Sequence, residues 1–341
     1  MIFVTGGTGL VGTHLLYELT RQDLPIRALK RATASLDEVY RVFRYYSDDA
    51  DRLVDRIEWV DGDLKDAFAL ERHLDGITDI YHTAALVSFD PPQRRSMMKI
   101  NVDGTASLIN MALKKRISRF CFVSSVAAIG PQIGKKARDE SSIWKKSKYT
   151  HFYSWTKFKS EMEVWRGWAE GLNTVIVNPS IILGPGNWHR GAGQIFRTID
   201  RGLAFYPSGV TGYVDVRDVV SIMLQLMDRE LYGERFILNS ENLKFHELFQ
   251  MIAHTLGRKP PAIRSRRWMM SLAWRIEWLK SKLTGMAPLI TRESARASVN
   301  VSYFSNEKIC NTLGYRFRPV EESIREIGSY YLNDFRKPGR E

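Results

Sequence analysis

A glycine-rich loop directly after the first apolar segment restricts this chain more than any other feature. Residues 2–5 suit a short strand, and Gly6, Gly9 and Gly12 follow at a spacing of three. Glycine permits a tight turn and a close approach of backbone to a pyrophosphate, and the next helix offers amide donors from Leu10 and Val11. A plain glycine-rich turn is the alternative. The order strand, loop, helix favours dinucleotide binding.

Short β-rich runs alternate with helical stretches over the first 180 residues. The runs are mostly continuously apolar, as expected of parallel strands that are buried on both faces. The predicted strands are Met1–Thr5, Ile26–Lys30, Ile57–Val60, Asp79–His82, Arg119–Ser124 and Thr174–Asn178. Helices are predicted near residues 10–22, 66–75, 94–115 and 151–171, with a further helix in 33–56. This rhythm predicts an α/β fold with a doubly wound, Rossmann-type parallel sheet.

The pattern changes after Asn178 and Pro179. Residues 213–220 are typical of a strand that runs into a helix, and the chain after about residue 241 suggests helices joined by proline-rich turns. A chain of 341 residues also exceeds the usual size of a single core. We therefore predict a dinucleotide-binding Rossmann domain of residues 1–179 and 213–240, and a smaller, mostly helical substrate-binding lobe of residues 180–212 and 241–341.

Composition narrows the class of protein. No apolar run approaches the ~20 residues that cross a bilayer, and the first one leads into the glycine loop, so we expect no signal peptide. Two cysteines, Cys121 and Cys310, cannot form a disulfide framework, which fits the reducing cytoplasm. The net charge of +12 reflects solvated loops or attraction to an anionic cofactor, substrate or membrane surface. We expect no metal site and, because no recognised motif accompanies the charge, no nucleic-acid binding.

The end of the second predicted strand bears on the choice between NAD and NADP. NAD enzymes usually carry an acidic residue there for the adenosine ribose, whereas this chain has Lys30 and Arg31. Two bases suit a 2′-phosphate, so NADP is preferred over NAD, with ordinary exposed loop bases as the alternative. Asp63, which precedes Leu64 after the third strand, either reaches an adenine amino group or caps the next helix.

Tyr153 and Lys157 stand four residues apart on a predicted helix, so their side chains share one face. Free tyrosine ionises near about pH 10. An ammonium ~4–5 Å away, at an effective dielectric constant of about 20, is worth roughly 3–4 kcal/mol. The pair therefore predicts a phenol whose pKa is lowered into the range useful for proton transfer. Alone, this spacing is weak evidence, because it arises often on ordinary helices.

Ser124 and Ser125 end the fifth predicted strand, at the edge of the sheet where ligands bind in open α/β folds. With the glycine loop, a serine, Tyr153 and Lys157 in this order, the chain resembles the extended short-chain dehydrogenase/reductase family. The resemblance covers nearly the whole chain. It also includes the motifs at residues 82–85, 101–105, 178–186 and 213–220. Several motifs in the family's order are far more specific than any one of them.

The resemblance implies that Ser125, Tyr153 and Lys157 are the catalytic residues. Tyr153 would give or take the proton, Lys157 would lower its pKa and bind the nicotinamide ribose, and Ser125 would orient the substrate oxygen, with Ser124 as the less favoured serine. The implied cofactor contacts are Gly6, Gly9, Leu10, Val11, Gly12, Lys30, Arg31, Asp63, Leu64, Ala84, Ala85, Tyr153, Lys157, Asn178 and Pro179. The implied substrate contacts are Ser125, Val87, Ser88 and Ser180.

Within the family, residues 84–89 and 313–315 resemble the dihydroflavonol reductase and 3β-hydroxysteroid dehydrogenase branch. This branch implies an NAD(P)-dependent oxidoreductase that interconverts a secondary alcohol and a ketone on a bulky, partly apolar small molecule. Sugar dehydratases of the family usually have a threonine and an acidic pair where this chain has residues 125–127, so dehydration is not expected. An NAD-dependent nucleotide-sugar epimerase is the enzymatic alternative, and a cofactor-binding regulator is the non-enzymatic one.

Two apolar surfaces remain without a role in this scheme. Trp155, Phe158, Met162 and Trp165 lie opposite the catalytic face of the 151–171 helix, which predicts a homodimer through this helix and the one near 94–115. Residues 268–283 are apolar and flanked by bases. A lobe helix packed on the core is the favoured interpretation there, and a lid or an interfacial helix on anionic lipid is the alternative.

Overall fold

The structure of the chain is a computed structural model, which describes residues 1–131, 137–145, 150–284 and 291–335. The strands are β1 (Ile2–Thr5), β2 (Ile26–Lys30), β3 (Ile57–Asp61), β4 (Asp79–His82), β5 (Arg119–Val123), β6 (Asn173–Pro179), β7 (Ile181–Leu183), β8 (Phe205–Tyr206), β9 (Val210–Asp215), β10 (Glu234–Leu238), β11 (Glu241–Lys244) and β12 (Ile263–Arg264). The helices are α1 (Leu10–Arg21), α2 (Asp37–Tyr46), α3 (Ala50–Asp55), α4 (Ala67–His73), α5 (Arg94–Met97), α6 (Gly104–Lys114), α7 (Phe152–Ala169), α8 (Gly191–Asp200), α9 (Val216–Asp228), α10 (Phe245–Thr255), α11 (Arg267–Thr284), α12 (Arg292–Ala297), α13 (Glu307–Leu313) and α14 (Val320–Phe335). A π-helical turn, Met98–Asp103, joins α5 to α6, and short 3₁₀ turns lie at Pro91–Gln93 and Val126–Ala128.

Seven parallel strands form the central sheet in the order β10-β6-β5-β4-β1-β2-β3. The predicted doubly wound, Rossmann-type α/β fold is therefore confirmed. Each of the six predicted strands agrees with the structure to within one residue at either end. The seventh strand, β10, was not predicted; it extends the sheet by pairing with β6.

Burial on both faces explains the continuous apolar runs of the strands. Ile2 and Val4 of β1 pack on one face of the sheet against α1, α2, α3 and α9. Phe3, between them, packs on the other face against α4, α6 and α7. Successive side chains of a strand point to opposite faces, so a strand covered by helices on both sides is mostly apolar on both faces.

A smaller, three-stranded sheet lies outside the main one, in the order β11-β9-β7. Together with α8, α10 and α14 it encloses a separate core that includes Trp188, Phe196 and Tyr213. The predicted strand-to-helix passage at residues 213–220 is confirmed as β9 and α9. The chain after about residue 241 is mostly helical, as expected, but it begins with a strand that was not predicted, β11, which pairs antiparallel with β9. The domain boundaries stay a prediction.

The strand order places a ligand crevice between β1 and β4. The chain runs outward from β1 to β2 and β3 on one side, and from β4 to β5 and β6 on the other. At such a switch point, the loops after the strands diverge and leave a crevice at their carboxyl ends. Gly6 after β1, Ala84 after β4 and Ser125 after β5 all lie at this edge.

Candidate active site

The glycine loop leaves no space for a side chain at Gly6 or at Gly12. Gly6 has a φ of 74°, in the left-handed region, and a Cβ there would lie 2.6 Å from the amide nitrogen of Ala84. A Cβ on Gly12 would overlap the Gly6 carbonyl, and the Gly9 amide donates to the same carbonyl at 2.9 Å. The loop is therefore a tight backbone cradle that opens at the start of α1. Such a cradle fits the pyrophosphate of a dinucleotide.

The predicted ribose-binding cations differ in their surroundings. Lys30 Nζ donates to Asp61 Oδ1 at 2.5 Å, so its charge is largely compensated. Arg31 is exposed at the end of β2 and contributes to lowering the pKa of Asp63. Arg31 is consequently the better placed of the two bases for a 2′-phosphate.

Asp63 does not cap the next helix. Its Oδ1 accepts the backbone N–H of Lys65 at 2.9 Å, and its other oxygen pairs with the Lys65 ammonium at 3.0 Å. The N-cap of α4 is Asp66, which accepts the amide of Ala69 at 3.0 Å. The helix-cap alternative for Asp63 is therefore wrong, and an adenine contact by Asp63, beside buried Leu64, stays a prediction.

Two buried polar side chains fix the segment that follows β4. His82 lies between Thr5 Oγ1 at 2.7 Å and Thr105 Oγ1 at 2.9 Å, and burial lowers its pKa to about 3, so the ring is neutral. Asn101, in the π-helical turn, accepts the amide of Leu86 at 2.7 Å and donates to its carbonyl at 2.9 Å. These bonds hold residues 83–86, and with them Ala84 and Ala85, against the glycine loop.

Ser125 and Tyr153 are brought together at the end of β5. Ser125 precedes the 3₁₀ turn, where its Oγ accepts the amide of Ala127 at 3.1 Å, and its hydroxyl is near enough to the phenol of Tyr153 to act on the pKa of that phenol. Ser154, the next residue of α7, donates to the Ala127 carbonyl at 2.5 Å. The first turn of α7 is thus tied directly to the loop after β5. Ser124, the alternative serine, is buried.

Lys157 is fully buried under this site. Its Nζ donates to the Val123 carbonyl at 2.8 Å and lies 4.6 Å from the centre of the Phe122 ring. Burial lowers the pKa of Lys157 to about 8, and the negative charge of Glu161 acts against that decrease.

The expected decrease in the pKa of Tyr153 is wrong for this structure. Burial raises the pKa of Tyr153 to about 12, and the Ser125 hydrogen bond only partly opposes the increase. The spacing of Tyr153 and Lys157 indicates a nearby charge but not the desolvation of the phenol, which disfavours the ionised form.

A buried acidic network behind Tyr153 and Lys157 was not predicted. Glu161 Oε1 accepts Asn178 Nδ2 at 2.5 Å, and Glu161 Oε2 lies 3.3 Å from the Arg235 guanidinium. The same Asn178 amide donates to the Ser125 carbonyl at 3.1 Å. Burial raises the pKa of Glu161, against the effect of these donors. The sequence does contain a signal for this network, because Tyr153, Lys157 and Glu161 are spaced at i, i+4 and i+8. This spacing places all three side chains on one face of the helix.

The other predicted site residues surround this centre to differing degrees. Pro179 ends buried β6, and Ser180 is buried, with an Oγ that has no partner among the described residues. Val87 is exposed, and Ser88 accepts the amide of Asp90 at 3.1 Å. Phe89, which the sequence analysis did not assign to the site, lies with its ring 6.5 Å from that of Tyr153.

Comparison with known proteins gives consistent results. A family profile described as male sterility protein matches residues 4–240, more than half of the chain. A protein of Synechocystis sp., provisionally named dihydroflavonol 4-reductase, is 29% identical over 340 residues, which cover 97% of this chain and 94% of that protein. The 3β-hydroxysteroid dehydrogenase/Δ5→4-isomerase of Mycobacterium tuberculosis is 24% identical over 360 residues, covering 98% and 91%.

Solved structures share the fold. A double mutant of the dTDP-glucose 4,6-dehydratase from Streptomyces venezuelae, with NAD and DAU bound, matches with a TM-score of 0.74 at 20% identity, covering 98% of this chain and 97% of that one. The profile match, the relatives and the fold agree with the motifs in the sequence. The chain therefore belongs to the male sterility protein family, within the extended short-chain dehydrogenases/reductases.

Proposed function

We propose that this protein is an NAD(P)-dependent oxidoreductase that interconverts a secondary alcohol and a ketone. The observation that carries the proposal is the juxtaposition of Ser125 and Tyr153, which the bond from Ser154 to the loop after β5 holds at the edge of the sheet that also has the glycine loop. The relatives named as a reductase and a steroid dehydrogenase support this reaction class. Exposed Val87 and the Phe89 ring near Tyr153 favour a bulky, partly apolar substrate.

The protonation states favour ketone reduction near neutral pH. A nicotinamide dinucleotide held by the glycine loop would supply the hydride for the carbonyl carbon. Ser125 orients the carbonyl oxygen, and Tyr153, which is protonated because its pKa is about 12, donates its proton to that oxygen. The Lys157 ammonium, fixed by the Val123 carbonyl, stabilises the phenolate that remains. In the reverse direction, Tyr153 accepts the proton of the alcohol.

Tyr153→Phe tests the catalytic role. The variant keeps the ring but loses the proton donor, so we expect the rate of NADPH oxidation with a dihydroflavonol or a 3-ketosteroid to fall by about 10²–10⁴-fold. Tyr40→Phe is the matched control, because Tyr40 lies on α2 with its phenol bonded to Asp55. Unchanged turnover in Tyr153→Phe would contradict the mechanism.

NADP is the proposed cofactor, with Arg31 as the residue that recognises its 2′-phosphate. Arg31 is exposed, whereas Lys30 is paired with Asp61. A charge-assisted hydrogen bond contributes about 1.5–3 kcal/mol, so Arg31→Glu should weaken NADPH binding at least about tenfold by calorimetry and leave NADH binding nearly unchanged. Arg52→Glu, on the surface of α3, is the control. Equal losses for both nucleotides would contradict this role.

The Lys30–Asp61 ion pair is also the observation that keeps the epimerase alternative open. A compensated Lys30 is less suited to a 2′-phosphate, and an epimerase would use NAD. Purified protein that carries tightly bound NAD, and that interconverts UDP-glucose and UDP-galactose without net change in NADH absorbance, would favour the epimerase. Binding of nucleotide without turnover on any substrate would favour a regulator.

A homodimer through α6 and α7 is proposed as the assembly. These helices pack against each other, and Met162 remains exposed on the far side of α7. Light scattering should give twice the monomer mass, and Met162→Glu should shift it towards the monomer. Phe68→Glu, on exposed α4, is the control. A monomeric wild-type protein at micromolar concentration would contradict the proposal.

A reducing compartment such as the cytoplasm fits the unpaired state of Cys121 and Cys310.

A further inference from the structure

We propose that α11 and the bases around it bind the surface of an anionic phospholipid membrane. The favoured sequence interpretation, a lobe helix packed on the core, stays a prediction, but one face of α11 presents apolar side chains to solvent. Trp268, Leu272 and Ile276 are 63%, 51% and 56% exposed, and their spacing of four residues aligns them on one face. Trp278 is also exposed. Large apolar side chains that line one exposed face mark an interaction surface.

The charges around this face are positive. Arg275 lies on the exposed side of α11, and Arg264 and Arg266 are exposed just before the helix. Among the described residues, neither Arg264 nor Arg266 forms an ion pair. The acidic residue of α11, Glu277, has only 19% of its side chain exposed, so it lies on the side of the helix that faces the protein. Bases and apolar groups therefore face outward together.

The neighbouring helix, α12, also has exposed bases and an acidic residue that is turned inward. α12 packs against α11, and Arg292 and Arg296 of α12 are exposed. Glu293, between them, is turned inward and pairs with Arg94 at 2.5 Å. The outward surface of both helices thus attracts anions, and a partner with an apolar layer below an anionic one complements it.

The apolar surface extends beyond the helix. β12 pairs with β8, so that Ile263 of β12 lies next to Phe205 of β8. Both side chains are exposed. A shallow depression next to them is lined by Ile263, Arg264, Arg266 and Trp268. Guanidinium groups recognise phosphate oxygens well, and tryptophan is favoured at the headgroup level of a bilayer. A phospholipid surface matches both sets of side chains.

The geometry requires attachment to the surface rather than insertion across it. No helix among the described residues is long and apolar enough to span a bilayer. The 18 residues of α11 suit an interfacial helix that lies in the plane of the membrane. Glu293 of α12 accepts the amide of Phe152, at the start of the catalytic helix, at 3.4 Å. The proposed membrane surface therefore adjoins the candidate active site, although the inference does not depend on the proposed function.

Vesicle sedimentation of the full chain tests the inference. At 50 mM salt we expect binding to vesicles of equal parts phosphatidylglycerol and phosphatidylcholine, and little binding to phosphatidylcholine alone or at 500 mM salt, since salt screens exposed charges. Leu272→Ser with Ile276→Ser should lower the partition coefficient at least about tenfold. Arg264→Glu with Arg266→Glu should reduce it towards the level of neutral vesicles.

Matched controls distinguish binding by this surface from non-specific hydrophobic binding to vesicles. Phe68→Ser and Ile143→Ser remove exposed apolar side chains elsewhere and should leave the partition coefficient unchanged. Circular dichroism and reductase or nucleotide-binding assays confirm that each variant is folded. Absence of binding to anionic vesicles, or full binding by Leu272→Ser with Ile276→Ser, would overturn the inference. So would a change in oligomeric state of that variant without vesicles, since the face would then join two copies of the chain.

Discussion

Glu161→Gln tests the buried network behind the active site. Glutamine keeps the shape of the side chain and can still accept the Asn178 amide, but it removes the negative charge opposite Arg235. Breaking a buried ion pair by removing one partner costs about 3–5 kcal/mol. Arg235 keeps hydrogen bonds to the carbonyls of Glu140 and Ser142, so we expect the free energy of unfolding to fall by a smaller amount, about 2–3 kcal/mol.

The substitution also acts on Lys157. Burial lowers the pKa of Lys157 from 10.5 to about 8, and Glu161 opposes this decrease. Side chains four residues apart lie ~6 Å from each other, which at an effective dielectric constant of about 20 corresponds to roughly 3 kcal/mol. Loss of that charge therefore lowers the pKa of Lys157 further. Because the folded pKa is below the unfolded one, stability rises with pH between the two values. The rise begins near pH 8 in the wild type and at lower pH in the variant.

Urea unfolding followed by circular dichroism from pH 6 to pH 10 measures both effects. Glu163→Gln is the control on the same helix, because Glu163 is partly exposed and pairs with Arg166. An exposed pair contributes less than about 1 kcal/mol, so this control should change little. If Glu161→Gln alters neither the midpoint nor the pH dependence, the Glu161 carboxyl is already protonated in the folded protein and the reasoning is refuted.

Three further predictions follow from the same geometry. Gly12→Ala should abolish the thermal stabilisation by NADP, because the new Cβ overlaps a loop carbonyl. Gly186→Ala is the control and should retain the stabilisation, because its Cβ meets only side chains at 3.3 Å or more. Equal behaviour of the two variants would contradict the assignment of the glycine loop as the cofactor cradle. Asp66→Ala removes the cap of α4 and should lower the unfolding free energy by about 1 kcal/mol in urea, and no change would show that the cap is dispensable. Lys157→Met should remove the rise in stability between pH 8 and 10.5, which amounts to about 3 kcal/mol; a persistent rise would assign it to another group.

The sequence predicts those parts of the fold that depend on local residue patterns. Mostly continuous apolar runs identified six strands, because strands covered on both faces have few polar positions. β10 was missed, since its place depends on pairing with β6, about 60 residues earlier in the chain. The pKa of Tyr153 was misjudged for a related reason: spacing shows which charge is near, but only the packed structure shows how much water is lost.

The outermost position of β10 has a consequence for synthesis. The chain leaves the main sheet at Pro179, builds β7, α8 and β9 outside it, and returns only at Glu234. A nascent chain that has emerged from the ribosome to about residue 230 presents β6 as an open strand edge of apolar residues, and open edges invite pairing with other chains. β6 gains its outer neighbour only when residues 234–238 have also emerged. Truncations between residues 180 and 233 should therefore aggregate rather than yield a soluble nucleotide-binding fragment, which expression and sedimentation of such fragments can check.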